Sequence, residues 1–219
     1  KTRPEIDPHR IGVLGHSEGG FIAPLAATRD RSIAFIVLWA GPGVPMLTGI
    51  SPKVEAILRA QGASADVIAK TVATENAVLD AVRANPDAAK LEAALRAIAA
   101  KQPDIKDVDT WVKQLMQQLG GPWLRWYIHY DPAATLAKVR CPVLALAGSL
   151  DTQVPPADNV PALRKALAHN RHATIRELPG LNHPFQRAKT VVPDEYTTLP
   201  PTCDYALLEA TASWIAQLH

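Results

Sequence analysis

Ile11-Gly12-Val13-Leu14-Gly15-His16-Ser17-Glu18-Gly19-Gly20 is the stretch on which the reading of this chain turns. Ile11–Leu14 is a short apolar run closed by Gly15, and beyond Gly20 the residues Phe21, Ile22, Leu25 and Ala26 recur at helical spacing. Between the two stands Gly-x-Ser-x-Gly, in the strand-then-helix context that this pattern requires. A serine on so sharp a turn has strained backbone angles, and its hydroxyl is pushed out at the carboxyl end of the sheet. The flanking Gly15 and Gly19 are expected because side chains there would collide with the adjacent helix and strand. The same turn aims the backbone N–H of Glu18 toward a developing negative charge, at a helix N-terminus that favours one. A glycine-rich turn with an incidental serine would read the same, so the residues that follow must decide.

Three further β-like runs follow. Ile33–Trp39 ends at Gly41-Pro42-Gly43, Pro142–Ala147 is closed by Gly148, and Ala173–Leu178 stops at Pro179-Gly180. Runs apolar on both faces, with helices between them, predict an α/β protein whose parallel sheet is covered on both sides. From about Ser51 to Leu119 the pattern is helical instead. Val54, Ile57 and Leu58 share a face, as do Leu91, Leu95 and Ile98, and then Val108, Val112, Leu115 and Leu119. Breaks fall at Gly62, Asn85-Pro86 and Pro103. This block reads as an insertion after the second strand, giving a core of residues 1–47 and 128–219 and a helical insertion of 48–127. The last helix is expected over Tyr205–Gln217, with Leu208, Ala212 and Ile215 inward.

Composition narrows the class. The 219 residues are 47% apolar and 20% charged, which supports a buried core and argues against disorder. Lys plus Arg number 23 against 21 Asp plus Glu, a balance of +2 that lacks the clustered basic excess of a nucleic-acid surface. No apolar run approaches the roughly 18–20 residues of a bilayer span. Cys141 and Cys203 make no disulfide framework and sit in no metal-ligand cluster; Cys141, at the start of a strand, reads as a small buried apolar group. Neither metal nor organic cofactor is expected, and the compartment is left open between cytoplasmic and exported. The chain opens at Lys1 with no lead-in before the first strand, which favours a fragment.

A serine nucleophile needs a base to take its proton, and the base needs an anion to hold its tautomer. Asp151 lies just beyond the third strand, in Gly148-Ser149-Leu150-Asp151. His183 lies just beyond the fourth, in Gly180-Leu181-Asn182-His183-Pro184. All three candidates follow the ends of parallel strands, where open α/β sheets place their sites, in the order Ser, Asp, His. Asp158 is the rival carboxylate, but it sits in a proline-flanked segment leading into a helix. His16 is read as packing or pocket wall, and the Glu18 side chain as a local hydrogen bond or ion pair. His9, His129, His169, His172 and His219 have no such context. Trp123, Trp126, Tyr127 and Tyr130 form an aromatic cluster, read either as packing of the insertion or as a substrate wall. Trp39 could line a pocket floor.

With Tyr130-Asp131-Pro132, Val139–Pro155 and Leu178–His183 added to the opening motif, the chain resembles the carboxyl-terminal two-thirds of an α/β-hydrolase. The similarity is to the bacterial esterase and lysophospholipase-like group, which also resembles dienelactone hydrolases and serine aminopeptidases. That resemblance implies Ser17 as nucleophile, His183 as general base and acid, Asp151 as its orienting carboxylate, and the insertion as a lid. It implies hydrolysis of a small-molecule carboxylic ester through an acyl-enzyme. A peptidase or amidase with the same triad, and a non-catalytic chain on the same scaffold, are the alternatives. Such sheets carry about four more strands before the serine turn, one of whose loops donates a second oxyanion N–H. The first strand here is therefore expected to show an open apolar edge, completed by an upstream segment or a second chain.

Overall fold

The computed structural model describes residues 3–48, 50–119, 121–190, 195 and 198–218, without the side chains of 52, 53, 56, 57 and 60. Lys1, His219 and the Ile57 side chain, all named above, lie outside the described residues. The chain divides into two compact units, one of Lys1–Val44 with Asp131–His219 and one of Pro45–Tyr130. These boundaries fall three residues from those expected at each junction.

In chain order the elements are a short 3-10 turn at Pro8–Arg10, β1 (Val13–His16), α1 (Gly19–Arg29), β2 (Ile36–Trp39), then five helices of the second unit. Those are α2 (Ile50–Ala60), α3 (Ala65–Ala84), α4 (Ala88–Ala99), α5 (Val108–Leu119) and α6 (Pro122–His129). The first unit resumes with α7 (Pro132–Leu136), β3 (Val143–Gly148), α8 (Pro156–Ala166), β4 (Ala173–Leu178) and α9 (Tyr205–Ala216).

The fold is α/β. Its four strands form one parallel sheet in the order β1-β2-β3-β4, with Val13 opposite Ile36, Ile36 opposite Val143 and Val143 opposite Ala173. Alternation of side chains builds two cores. Ile36, Leu38, Val143 and Ala145 face Ala23 of α1, Leu136 of α7 and Leu163 of α8. Val37, Leu144 and Leu146 face the other way, onto Leu207 and Trp214 of α9. β1 begins and ends two residues later than the apolar run Ile11–Leu14, because its ladder with β2 continues through Gly15 and His16. Among the described residues it pairs on one side only, and Leu14 is 47% exposed.

The inward face of α9 corrects the expectation for Leu208 and Ala212, while Ile215 packs against the second sheet core as expected. Leu207, Thr211 and Trp214 are buried, while Leu208 is exposed and so is Ala212. The helix is apolar almost all round, so its periodicity left the rotation ambiguous. Trp214 resolves it: its indole N–H donates to Thr174 Oγ1 at 3.2 Å and its ring meets Phe35 edge-on at 6.0 Å.

The second unit is a helical assembly around Val82, Leu91, Leu95 and Val112. Asp87 caps α4 by accepting from the Lys90 N–H at 3.0 Å, and Asn85 closes α3 through a bond to the Ala81 carbonyl at 2.8 Å. Among the described residues no helix is long and apolar enough to cross a membrane, and no group of three or more His, Cys, Asp or Glu could hold a metal ion.

Leu38 is fully buried in the sheet's first core. Leu38→Ala should destabilise the chain by about 2–5 kcal/mol, read as a lowered urea midpoint at unchanged slope.

Candidate active site

At the end of β1 the ladder's last act is the Ser17 N–H donating to the Trp39 carbonyl at 2.8 Å. Ser17 itself then turns left-handed, at φ 55°, a conformation a non-glycine residue holds only under constraint. The chain reverses into α1 so tightly that a Cβ on Gly15 would stand 1.9 Å from the Gly19 carbonyl oxygen. Gly19 differs from the expectation, for a Cβ there would meet nothing within 4 Å. The second tight position is Gly20 instead, where a Cβ would lie 2.3 Å from the Gly41 Cα, since α1 packs on the loop after β2. Glu18 caps α1 with helical angles, and among the described residues its N–H donates to no backbone carbonyl.

The loops after β3 and β4 are tied together before either presents its side chain. The Ser149 N–H donates to the Leu178 carbonyl at 3.0 Å, the Gly180 N–H to Ser149 Oγ at 2.8 Å and the Leu150 N–H to the Leu181 carbonyl at 2.9 Å. Asp151 emerges from this seam, only 3% exposed. Its Oδ1 accepts from the N–H groups of Gln153 and Val154, both at 2.8 Å, which leaves Oδ2 for another partner. That partner is His183 Nδ1, at 2.8 Å. The other ring nitrogen, Nε2, lies 2.9 Å from Ser17 Oγ.

The hydrogen bonds assign the tautomer. A carboxylate only accepts, so Nδ1 carries the proton and Nε2 is left to accept from the serine hydroxyl. Such a chain of hydroxyl, imidazole and carboxylate is able to pass the serine proton to the ring and to hold the resulting imidazolium.

The loop carrying His183 is braced by groups that the sequence reading did not single out. Asn182 and Gln186, both buried, exchange three hydrogen bonds, Gln186 N–H to Asn182 Oδ1 at 2.8 Å, Asn182 Nδ2 to Gln186 Oε1 at 3.0 Å and Asn182 N–H to the Gln186 carbonyl at 3.1 Å. Phe185 between them is left-handed at φ 60°. The Asp204 N–H, at the start of α9, donates to the Phe185 carbonyl at 2.7 Å, and Arg187 bonds the Asp204 carboxylate. That guanidinium holds Asp204 below the ordinary carboxylate range. Polar residues one and three positions from a candidate histidine were the available signal.

Of the remaining candidates, His16 is nearest. Its Nε2 donates to the His183 carbonyl at 3.0 Å and its ring lies 4.9 Å from the His183 ring. Trp39 donates its indole N–H to Thr211 Oγ1 at 3.1 Å on the α9 side, and its ring lies 6.2 Å from that of Phe185. Trp126 and Tyr130 belong to the second unit, where Trp123, Trp126 and Tyr130 stack in turn at 5.2 and 5.0 Å. Asp158 is exposed in the first turn of α8. His169 bonds the Val139 carbonyl. Cys141 is half-buried, and burial pushes its thiol up, away from thiolate chemistry.

Because Gly15 has no room and Gly19 has ample room, their alanine variants should part company. Gly15→Ala should destabilise the protein by about 1–3 kcal/mol. Gly19→Ala, at the first helical position, should stay within about 0.5 kcal/mol of the parent or stabilise it slightly. Paired thermal melts check both.

Solved structures similar to this chain include the α/β hydrolase GrgF from Penicillium sp. sh18, with 14% identity, a TM-score of 0.50, and coverage of 98% of this chain and 66% of that one. A puromycin-hydrolyzing peptidase from Mycobacterium tuberculosis aligns at 20% identity and TM-score 0.49, over 97% of this chain and 22% of its own. A monoacylglycerol lipase from Paleococcus ferrophilus aligns at 17% and 0.48, over 94% and 68%. The chain thus spans about two thirds of the length of two of these proteins and about a fifth of the third. No curated protein sequence matches it. The sequence model of the alpha/beta hydrolase family matches residues 2–194, and the chain belongs to that family.

Proposed function

We propose that the protein is a serine hydrolase that cleaves carboxylic esters through an acyl-enzyme. The observation that carries this reading is the unbroken line from Ser17 Oγ through His183 to Asp151, at 2.9 and 2.8 Å, with the serine held left-handed at a strand-to-helix turn. Ser17 Oγ attacks the ester carbonyl while His183 Nε2 takes its proton. Asp151 stays ionised, steadied by two backbone N–H groups, and offsets the charge on the ring. The N–H of Glu18, at the positive end of α1, stabilises the tetrahedral oxyanion. His183 then protonates the departing alcohol, and a water molecule activated by the same ring releases the acid.

Esters suit this apparatus because an alkoxide needs a single proton as it leaves. An amide nitrogen must be protonated in step with bond cleavage and demands more of the acid. The helical unit is proposed as the lid over the acyl or alcohol moiety.

Labelling with a fluorophosphonate probe should modify Ser17 and be lost in Ser17→Ala. Equal labelling of the variant would remove the reading. Asp151→Asn should lower kcat on p-nitrophenyl esters by about 10³–10⁴-fold with little change in KM, since it upsets the tautomer and not substrate contact. Faster turnover of aminoacyl nitroanilides than of p-nitrophenyl esters would move the substrate class from esters to amides.

A further inference from the structure

One face of α3, at Val67, Lys70, Thr71, Thr74, Glu75 and Val78, repeats at three- and four-residue intervals and lines a cavity of about 610 Å³ within the helical unit. The volume is that of a small-molecule site. The other walls are mainly apolar, with Leu47, Leu79, Trp111 and Leu115 among them. Two polar groups on the α3 face, Lys70 and Thr74, have partners. Thr74 Oγ1 donates to the Lys70 carbonyl at 3.0 Å, and the Lys70 ammonium is paired with Asp104.

Glu75 is the exception. Its Oε2 is buried and, among the described residues, has no hydrogen-bond partner. An acceptor withdrawn from water and left unpaired is unfavourable, more so when charged. Burial also raises the Glu75 pKa, the same cost expressed as a preference for the proton. A molecule that brought a positive charge to the Glu75 carboxylate and an apolar body to the surrounding walls would offset the cost and bury hydrocarbon together.

We propose that this cavity is a binding site for a single-chain alkyl cation, its ammonium head pairing with the Glu75 carboxylate and its chain lying along Val78, Leu79, Trp111 and Leu115. The charge of the site selects among amphiphiles of equal length. An alkanoate of the same chain would set two carboxylates against each other, and Lys70 is already engaged by Asp104. An alkanol supplies the hydrogen bond without the charge. The site stands apart from the reading of Ser17 and does not depend on it.

Isothermal titration of the 219-residue chain with octylammonium chloride, 1-octanol and octanoate tests the proposal. Octylammonium should bind, with octanoate at least about tenfold weaker and 1-octanol between them. Glu75→Gln keeps the shape and removes the charge, and should weaken octylammonium about 10- to 100-fold while changing 1-octanol far less. Leu115→Trp, which fills the cavity from α5, should weaken both, and Ser17→Ala should weaken neither. Circular dichroism would establish that each variant is folded. Octanoate or 1-octanol binding as tightly as octylammonium, or unchanged octylammonium affinity in Glu75→Gln, would overturn the proposal. Loss of binding in Ser17→Ala would do so as well, by locating the ligand at the serine turn.

Discussion

Four strands hydrogen-bonded in parallel register end at one rim, and every other feature of the first unit follows from that alignment. Val13, Ile36, Val143 and Ala173 sit in line across the sheet, so the chain leaves β1, β3 and β4 in the same direction, β3 and β4 two residues beyond the level of His16. Loops emerging side by side can bond to one another, and those after β3 and β4 do so through Ser149, Leu150, Leu178, Gly180 and Leu181. The approach is close enough that a Cβ on Gly148 would stand 2.3 Å from the Leu181 carbonyl oxygen. Asp151 and His183, distant in sequence, are brought within a hydrogen bond by backbone contacts that precede either side chain.

Strain and support are paired at this rim. Ser17 and Phe185 are both left-handed without being glycine, and each lies in or beside the line of hydrogen bonds. Conformations of this kind persist where their surroundings over-determine them. For Ser17 the surroundings are the bond to Trp39 and the close packing of Gly15 on Gly19. For Phe185 they are the Asn182–Gln186 exchange and the bond from Asp204. The polar groups of that second brace are buried and satisfied, which is the condition under which a polar network stiffens a loop.

The helical unit obeys a different logic. Its core of Leu91, Leu95, Val82 and Val112 closes around side chains at helical spacing, and its termini are capped locally by Asp87 and Asn85. Where the packing leaves a gap, the gap is lined by α3 and α5 and carries one carboxylate oxygen without a partner.

Much of this was legible in the linear chain. The β-runs, the helical insertion and its breaks at Gly62, Asn85-Pro86 and Pro103 are local signals of periodicity and turn chemistry, which act over a few residues. Ser17, Asp151 and His183 could be named because each lies in the loop that follows a strand end, and strand ends converge in a parallel sheet. Tertiary structure alone decided the rest. The rotation of α9 depends on where Trp214 finds room and a bonding partner, and an apolar helix carries no such information in its own pattern. The need for glycine at 15 and 20, and its absence at 19, depends on backbones far or folded back along the chain. The brace behind His183, the turning of Trp39 toward Thr211 and the unpaired oxygen of Glu75 are likewise relations between side chains, set by packing in three dimensions and by nothing in their order.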